Sequence, residues 1–172
     1  MNRTALLALA LALLVVYYFN RPESGSKADF MAQIRALAPG IEARYGIKQN
    51  ITIAQASLES DFGQSKLASE GKNLFGIKVT DSWDGMVWTG ATQEFVNGSP
   101  ITIQDTFKAY PSWRDSVEDW AKLISGPYKT AYKYAQVGDL AGYGQALYNT
   151  GYSTHPQYAS LLQDAYAQGA TV

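Results

Sequence analysis

The sequence predicts an α+β domain that is mostly helical, with a small antiparallel β-lobe inserted among the helices and an N-terminal transmembrane helix ahead of it. Apolar residues recur at helical spacing before and after residues 79–110, whereas that segment is rich in β-branched and aromatic residues broken by glycine. Residues 5–19 add an uninterrupted apolar run. Together these patterns predict one globular domain over residues 28–172 behind a hydrophobic segment.

The N-terminal apolar run, at residues 5–19, is ALLALALALLVVYYF. A membrane-spanning helix needs about 20 apolar residues and a signal-peptide core about 7–15, so this run is shorter than a typical span and at the upper limit of a signal-peptide core. Because Tyr17 and Tyr18 resemble an interfacial aromatic belt and no small-residue cleavage site follows, we interpret residues 1–20 as an uncleaved signal anchor and residues 21–27 as a linker. A cleaved signal peptide is the alternative, and both interpretations predict an exported domain.

The first part of the domain is predicted to be helical. Residues 28–38 have the apolar spacing of a helix, which the Pro-Gly pair at 39–40 is expected to interrupt. A second short helix is predicted over residues 41–45. Asn50 is expected to cap the N-terminus of the next helix, over residues 51–60.

The segment over residues 79–110 is divided by Gly85, Gly90 and the Asn-Gly pair at 97–98 into short runs of β-forming residues. These runs predict a small antiparallel sheet or a pair of hairpins. Four helices are predicted to follow, the first of them capped by Ser112. They cover residues 113–125, 128–135, 140–149 and 156–167.

Composition excludes several classes of function. The chain has 172 residues, enough for one domain with its own core. Its formal net charge of -1 gives no strong field that would attract nucleic acid. Without cysteine there is no disulfide or thiolate chemistry, and with His155 as the single histidine a multi-histidine metal site is not available. We therefore expect no cofactor, no metal and no nucleic-acid partner.

Glu59 is the candidate general acid that the residues themselves suggest. The acid of a glycosidase must stay protonated near neutral pH, so it needs a partly desolvated position. Glu59 stands near the end of the predicted helix over residues 51–60, and Thr52, Gln55 and Ala56 share its face. The alternative is an exposed, solubilising glutamate, which is the commoner role of this residue type.

A resemblance to a known family adds to this interpretation. Residues 55–65, QASLESDFGQS, resemble the AQA-LES-WG-S motif of glycoside hydrolase family 73, glucosaminidases that include flagellar rod-cap hydrolases and Gram-positive autolysins. Phe62, Ser153 and His155 depart from the usual tryptophan, alanine and aspartate, and we interpret His155 as a turn residue. Further segments are similar to family segments in the same order: NLFGIK at 73–78, TQE at 92–94, FKAYPS at 107–112 and GYSTHPQYA at 151–159.

The resemblance, which covers about residues 30–167, implies a lysozyme-like helical lobe and metal-free hydrolysis of peptidoglycan glycan strands at the bond after N-acetylglucosamine. Glu59 matches the family's catalytic acid and Tyr152 a tyrosine beside it. Glu94 matches the second carboxylate, which would activate water in an inverting mechanism. Two alternatives stay open: Glu94 is an exposed strand carboxylate while the substrate's N-acetyl group assists, and Tyr152 is a core tyrosine.

Contacts with the sugar strand are predicted at aromatic and amide side chains along the matched segments. Asn73 and Phe75 match the segment that lines the cleft near the acid. Trp88, Tyr110 and Tyr158 are further candidates, because aromatic faces stack on sugar rings. Packing in the core is the alternative role for Phe75 and Trp88.

Two other functions compete with a glucosaminidase. A muramidase or lytic transglycosylase would share the helical lobe and the single helix-borne glutamate, and a non-catalytic wall-binding module would need neither. The expected partners are a peptidoglycan strand and, through the N-terminal helix, a membrane. The domain would stand in the periplasm or at the cell surface, or the chain would lie in the membrane of a bacteriophage virion; the sequence does not predict its oligomeric state.

Overall fold

A computed structural model of the chain describes residues 25–96 and 99–172, and the side chains of residues 92–103 lie outside that description. The predicted signal anchor over residues 1–20 therefore falls outside the described residues. Within the described ranges, none of the helices combines the length and the apolar composition that a membrane span requires.

The predicted α+β architecture, mostly helical with a small sheet, is confirmed and is consistent with a lysozyme-like lobe. Two strands lie between the third and fourth of the described helices. The helices are α1 (Lys27–Tyr45), α2 (Gln49–Ser60), α3 (Lys66–Glu70), α4 (Trp113–Ser125), α5 (Lys129–Val137), α6 (Leu140–Asn149) and α7 (Tyr158–Ala170), and the strands are β1 (Val87–Val96) and β2 (Ser99–Lys108).

Helix α2 is the buried centre of the helical lobe, and it packs against α1 on one side and α7 on another. Its apolar and polar side chains are both buried; Gln55 and Ser60, for example, have no exposed surface. The end of the helix is fixed by Ser60, whose hydroxyl donates to Ala56 O at 2.6 Å and accepts from Gly63 N at 2.8 Å. Glu59 is therefore attached to a rigid, desolvated turn.

The predicted interruption of the first helix at Pro39 is wrong. Helix α1 continues from Lys27 to Tyr45 with Pro39 inside it. Ile34, Ala38 and Ile41 are buried along one continuous face, whereas Pro39 lies on the exposed side. Burial of that face outweighs the loss of the single intrahelical hydrogen bond that proline cannot donate.

Other boundaries also differ from the prediction. Helix α2 begins at Gln49 with Lys48 at the N-cap, so Asn50 is not the cap. Instead Asn50 Nδ2 donates to Gly138 O at 2.8 Å, a long-range contact that local sequence cannot reveal. The short helix α3, capped by the Ser65 hydroxyl, was not predicted. The last helix begins at Tyr158, two residues after its predicted start.

The β-lobe is one long antiparallel hairpin. Strand β1 pairs with β2 from Val87 opposite Lys108 to Val96 opposite Ser99. The predicted sheet is confirmed, but its division at Gly90 is wrong, because Gly90 lies inside β1 and pairs with Asp105. A glycine is compatible with an extended strand, so its presence does not require a turn.

Asn73 joins the hairpin to the helical lobe. Its side chain is almost fully buried, and Nδ2 donates to Lys108 O and to Ile77 O, each at 2.9 Å. Its Oδ1 accepts from the backbone N–H groups of Phe75 and Ile77 at 3.1 and 3.2 Å. A second link runs from Tyr110 N to the carbonyl oxygen of Gly71 at 2.9 Å. These bonds fix the base of the hairpin beside the end of α2.

Candidate active site

Glu59 is partly buried at the junction of two cavities. One has a volume of about 390 Å³ and is also lined by Lys66 and Trp88. The other has a volume of about 540 Å³ and extends along Tyr152. Phe107 lines both cavities, as Glu59 does. Glu59 is therefore a shared wall of both cavities.

The protonation of Glu59 is set by two opposing effects. Burial raises the pKa of Glu59 from 4.5 to about 7, and the hydrogen bond from Tyr158 acts in the lowering direction. A carboxyl group with this pKa still carries its proton in a large fraction of molecules at neutral pH. This is the property that a general acid requires.

A chain of buried hydrogen bonds leads from the core to Glu59. The Tyr158 hydroxyl donates to Glu59 Oε1, and the same oxygen of Tyr158 accepts from Gln55 Nε2 at 3.2 Å. Gln55 Oε1 in turn accepts from Trp120 Nε1 at 3.0 Å and from the Tyr143 hydroxyl. The carboxyl group is thus anchored to three helices besides its own.

Tyr152 lies beside the acid, along the larger cavity. Its ring packs edge-on against Tyr128 at a centroid distance of 5.4 Å and tilts against Tyr158 at 6.2 Å. Burial and the charge of Glu59 both raise the pKa of Tyr152 well above 10. Its hydroxyl, which makes a long 3.5 Å hydrogen bond to Phe75 O, therefore stays protonated wherever Glu59 titrates.

The structure brings four of the predicted aromatic site residues to the cavities beside Glu59. Phe75, Tyr152 and Tyr158 line the larger cavity, and Phe75 also stacks on Trp120 with the rings 4.7 Å apart and 8° from parallel. Trp88 lines the smaller cavity, where its Nε1 donates to Glu70 Oε2 at 2.9 Å.

Asn73 and Tyr110 are placed elsewhere. Asn73 is buried in its backbone contacts, and the described linings of the two cavities do not include it. The Tyr110 hydroxyl donates to Asp119 Oδ2 at 2.9 Å, and the residue lines a separate cavity that also contains Trp83. In these positions both side chains stabilise the β-lobe.

Glu94 belongs to strand β1, opposite Ile101, but its side chain is among those outside the described part of the chain. Its role as a second carboxylate therefore stays a prediction. Among the described residues that line the two cavities, Glu59 is the only one with a carboxylate.

Three residues of the hydrogen-bond chain were not predicted as part of a site. Gln55 stands one helical turn before Glu59, and this spacing was the one available indication. Trp120 and Tyr143 have the spacing of core residues and are fully buried. A sequence pattern does not separate an aromatic residue that only packs from one that also donates a hydrogen bond towards a site.

Comparison with known proteins agrees with this geometry. The model of the family described as mannosyl-glycoprotein endo-β-N-acetylglucosaminidase matches residues 36–170. The peptidoglycan hydrolase FlgJ of Salmonella typhimurium is 32% identical over 152 residues, which make up 86% of this chain and 48% of FlgJ. The exo-glucosaminidase LytG of Bacillus subtilis is 36% identical over 137 residues, 77% of this chain and 48% of LytG.

A solved structure is similar as well. The crystal structure of a peptidoglycan hydrolase mutant from Sphingomonas sp. A1 superimposes with a TM-score of 0.70 at 30% identity, covering 81% of this chain and 92% of that one. This chain spans about half the length of FlgJ and about half the length of LytG.

Proposed function

This chain belongs to the glucosaminidase family, and on that premise we propose that it is a peptidoglycan hydrolase that cleaves the β-1,4 bond after N-acetylglucosamine, with Glu59 as general acid. The observation that carries the proposal is Glu59 itself. Among the described residues that line the two cavities, Glu59 is the one with a carboxyl group, and burial raises its pKa to about 7.

In the proposed reaction, protonated Glu59 gives its proton to the glycosidic oxygen as the bond from that oxygen to C1 breaks. The leaving sugar departs with a new hydroxyl group, and positive charge develops on the ring of the N-acetylglucosamine unit. Glu59 becomes a carboxylate, and the Tyr158 hydroxyl, which donates to Oε1, stabilises the charge that appears there.

The opposite face of the sugar has two possible nucleophiles. In an inverting reaction, Glu94 would take a proton from a water molecule that attacks C1. In a substrate-assisted reaction, the oxygen of the 2-acetamido group attacks C1 first, and water opens the resulting ring. Proton NMR of the first anomer formed distinguishes them, because the inverting route yields the α-anomer and the assisted route the β-anomer.

The decisive test of the acid is Glu59→Gln, which keeps the size and removes the proton donor. General acid–base catalysis contributes about 10²–10⁴-fold to a rate, so release of reducing ends from purified peptidoglycan should fall by about that factor. Asp61→Asn is the matched control, since Asp61 is an exposed carboxylate two residues away. Equal clearing of cell walls by wild type and Glu59→Gln would contradict the assignment of Glu59 as the acid. Binding of walls without clearing by the wild type would instead indicate a wall-binding module.

The bond that is cleaved is tested by mass spectrometry of the digest. Fragments that end in reducing N-acetylglucosamine support a glucosaminidase. Fragments that end in reducing N-acetylmuramic acid would instead indicate a muramidase, and anhydro-muramic ends a lytic transglycosylase.

The proposed position of the enzyme is the outer side of a membrane, with residues 1–20 as a retained anchor. Expression of the full chain should then place the domain in the membrane fraction, accessible to protease from the outer side. A soluble product with a new N-terminus near residue 20 would contradict retention and indicate a cleaved signal peptide.

A further inference from the structure

We propose that Gln55 is a positioning residue for the acid: held by Trp120, it directs the Tyr158 hydroxyl to Glu59 Oε1 and leaves Oε2 to carry the proton that is transferred. This inference rests on the proposed function, in which Glu59 is the general acid. It concerns the direction of the hydrogen-bond chain behind Glu59, which determines the carboxyl oxygen that acts on the substrate.

The direction of the chain begins at Trp120. An indole N–H donates and cannot accept, and it lies 3.0 Å from Gln55 Oε1. If the amide were flipped, its NH₂ group would face the indole N–H, and two buried donors would lack an acceptor. Stacking on Phe75 holds the indole in place. Tyr143, whose hydroxyl can rotate, donates to the same oxygen but does not set the direction.

Gln55 transmits this direction to Tyr158. With Oε1 occupied by its two donors, Nε2 faces the Tyr158 oxygen at 3.2 Å. An amide NH₂ group offers hydrogens only, so the tyrosine oxygen must accept from it. The single hydrogen of the Tyr158 hydroxyl is then directed to Glu59 Oε1. Each bond polarises the next, which makes Tyr158 a stronger donor.

The consequence for Glu59 is an asymmetry between its two oxygens. Oε1 accepts a hydrogen bond, so the acidic proton is carried by Oε2, and after transfer the charge is already solvated at Oε1. Among the described residues, Tyr158 is the titratable group that is hydrogen-bonded to Glu59. The other titratable groups around it are Lys66, Lys78, Tyr128 and Tyr152 along the cavities and Tyr143 behind the chain of bonds.

The test uses Gln55→Met, which keeps the length of the side chain and removes its amide, and Trp120→Phe, which keeps an aromatic ring against Phe75 and removes the N–H donor. Both should lower kcat by about tenfold, the scale expected when a reacting group loses its orientation, with KM unchanged. In these variants Tyr158 becomes a weaker and less directed donor to the carboxylate, which raises the pKa of Glu59, so the alkaline limb of kcat should move up by about half a pH unit or more. Ser57→Ala is the control, because Ser57 is buried in the same helix and its hydroxyl contacts Met31.

A purely structural role for Gln55 would lower the melting temperature of the variants without moving the limb. If Gln55→Met and Trp120→Phe are folded and the alkaline limb of their kcat profile lies at the same pH as in the wild type, the inference is overturned. Failure of the proposed function is distinct, since it would appear as activity in Glu59→Gln. A neutron structure of the wild-type chain needs no variant: a Gln55 amide with its deuterium atoms on the Tyr158 side supports the inference, and the reverse orientation overturns it.

Discussion

Glu59 combines a raised pKa with a fixed orientation, and both properties arise from its position at the end of a buried helix. Because the pKa of Glu59 is about 7, the fraction of protonated acid falls as the pH rises through that value. We expect kcat on soluble glycan strands to decline with a midpoint near pH 7. A kcat that stays constant up to about pH 9 would show that another group is the acid.

The raised pKa also carries a cost in stability. The folded state binds the Glu59 proton more tightly than the unfolded chain, in which the pKa is near 4.5. Its contribution to stability is therefore fully present below pH 4.5 and is lost as the pH rises through about 7. Glu59→Gln avoids this loss, so at pH about 8 it should raise the free energy of unfolding by on the order of 2 kcal/mol.

Thermal unfolding at several pH values measures this effect. The advantage of Glu59→Gln should shrink towards pH 4 and reach its full size above pH 7. Asp61→Asn, which removes an exposed carboxylate, is the control variant in the same measurement. A Glu59→Gln advantage that did not depend on pH would contradict the assignment of the raised pKa.

At the residue scale, the sequence predicted Glu59 as the candidate acid and Tyr158 as a candidate sugar contact, and it did not predict the hydrogen-bond chain behind Glu59. Both residues were identified because they lie in short segments that resemble those of a family. Trp120 contacts Gln55 across 65 positions of the chain. The tertiary fold brings these two side chains together, and no local pattern encodes that distance.

At the scale of elements, helix α1 shows how tertiary packing overrides a local helix breaker. Pro39 and Gly40 disfavour a helix, yet the buried face over Ile34, Ala38 and Ile41 continues through them. The hairpin shows the same for Gly90, which local propensity assigns to a turn and strand pairing keeps extended. Local sequence thus predicted the existence of these elements and not their boundaries.

One glycine inside α1 and one directly after its last residue provide a matched pair of substitutions. Gly40 lies within the helix, and a Cβ added there would meet no atom within 4 Å. Gly40→Ala should therefore raise the free energy of unfolding by about 0.5–1 kcal/mol. Gly46 ends the helix with φ at +68°, so Gly46→Ala should lower it by about 1–2 kcal/mol.

Urea denaturation of the two variants checks both signs in one experiment. Neither glycine lines the cavities beside Glu59, so both variants should keep the kcat of the wild type. Destabilisation by Gly40→Ala would mean that the helix around Pro39 departs from the observed backbone.

At the scale of the whole molecule, the two lobes meet at Asn73. Its amide group binds backbone groups of residues 75, 77 and 108. Asn73→Ala would leave these buried groups without partners, at a cost of about 1–3 kcal/mol for each group that water does not reach. We expect a clear loss of stability and a higher KM, because Phe107 at the base of the hairpin lines both cavities.

Asn149→Ala is the control for that variant, since Asn149 is exposed and bonds to Gln145 alone within its helix. It should change the free energy of unfolding by no more than about 0.5 kcal/mol. If Asn73→Ala were equally mild and left KM unchanged, the hairpin would be held by other contacts.

The meeting of two cavities at one carboxyl group has a consequence for the products of the reaction. In the proposed reaction, a strand would fill both cavities only with sugars on both sides of the bond, so we expect the interior of a long strand to bind most tightly. Each cut creates two new strand ends, and a sugar at such an end can fill only one of the two cavities. We therefore expect digestion to slow as the fragments become shorter, and short oligosaccharides should remain at the end of the reaction.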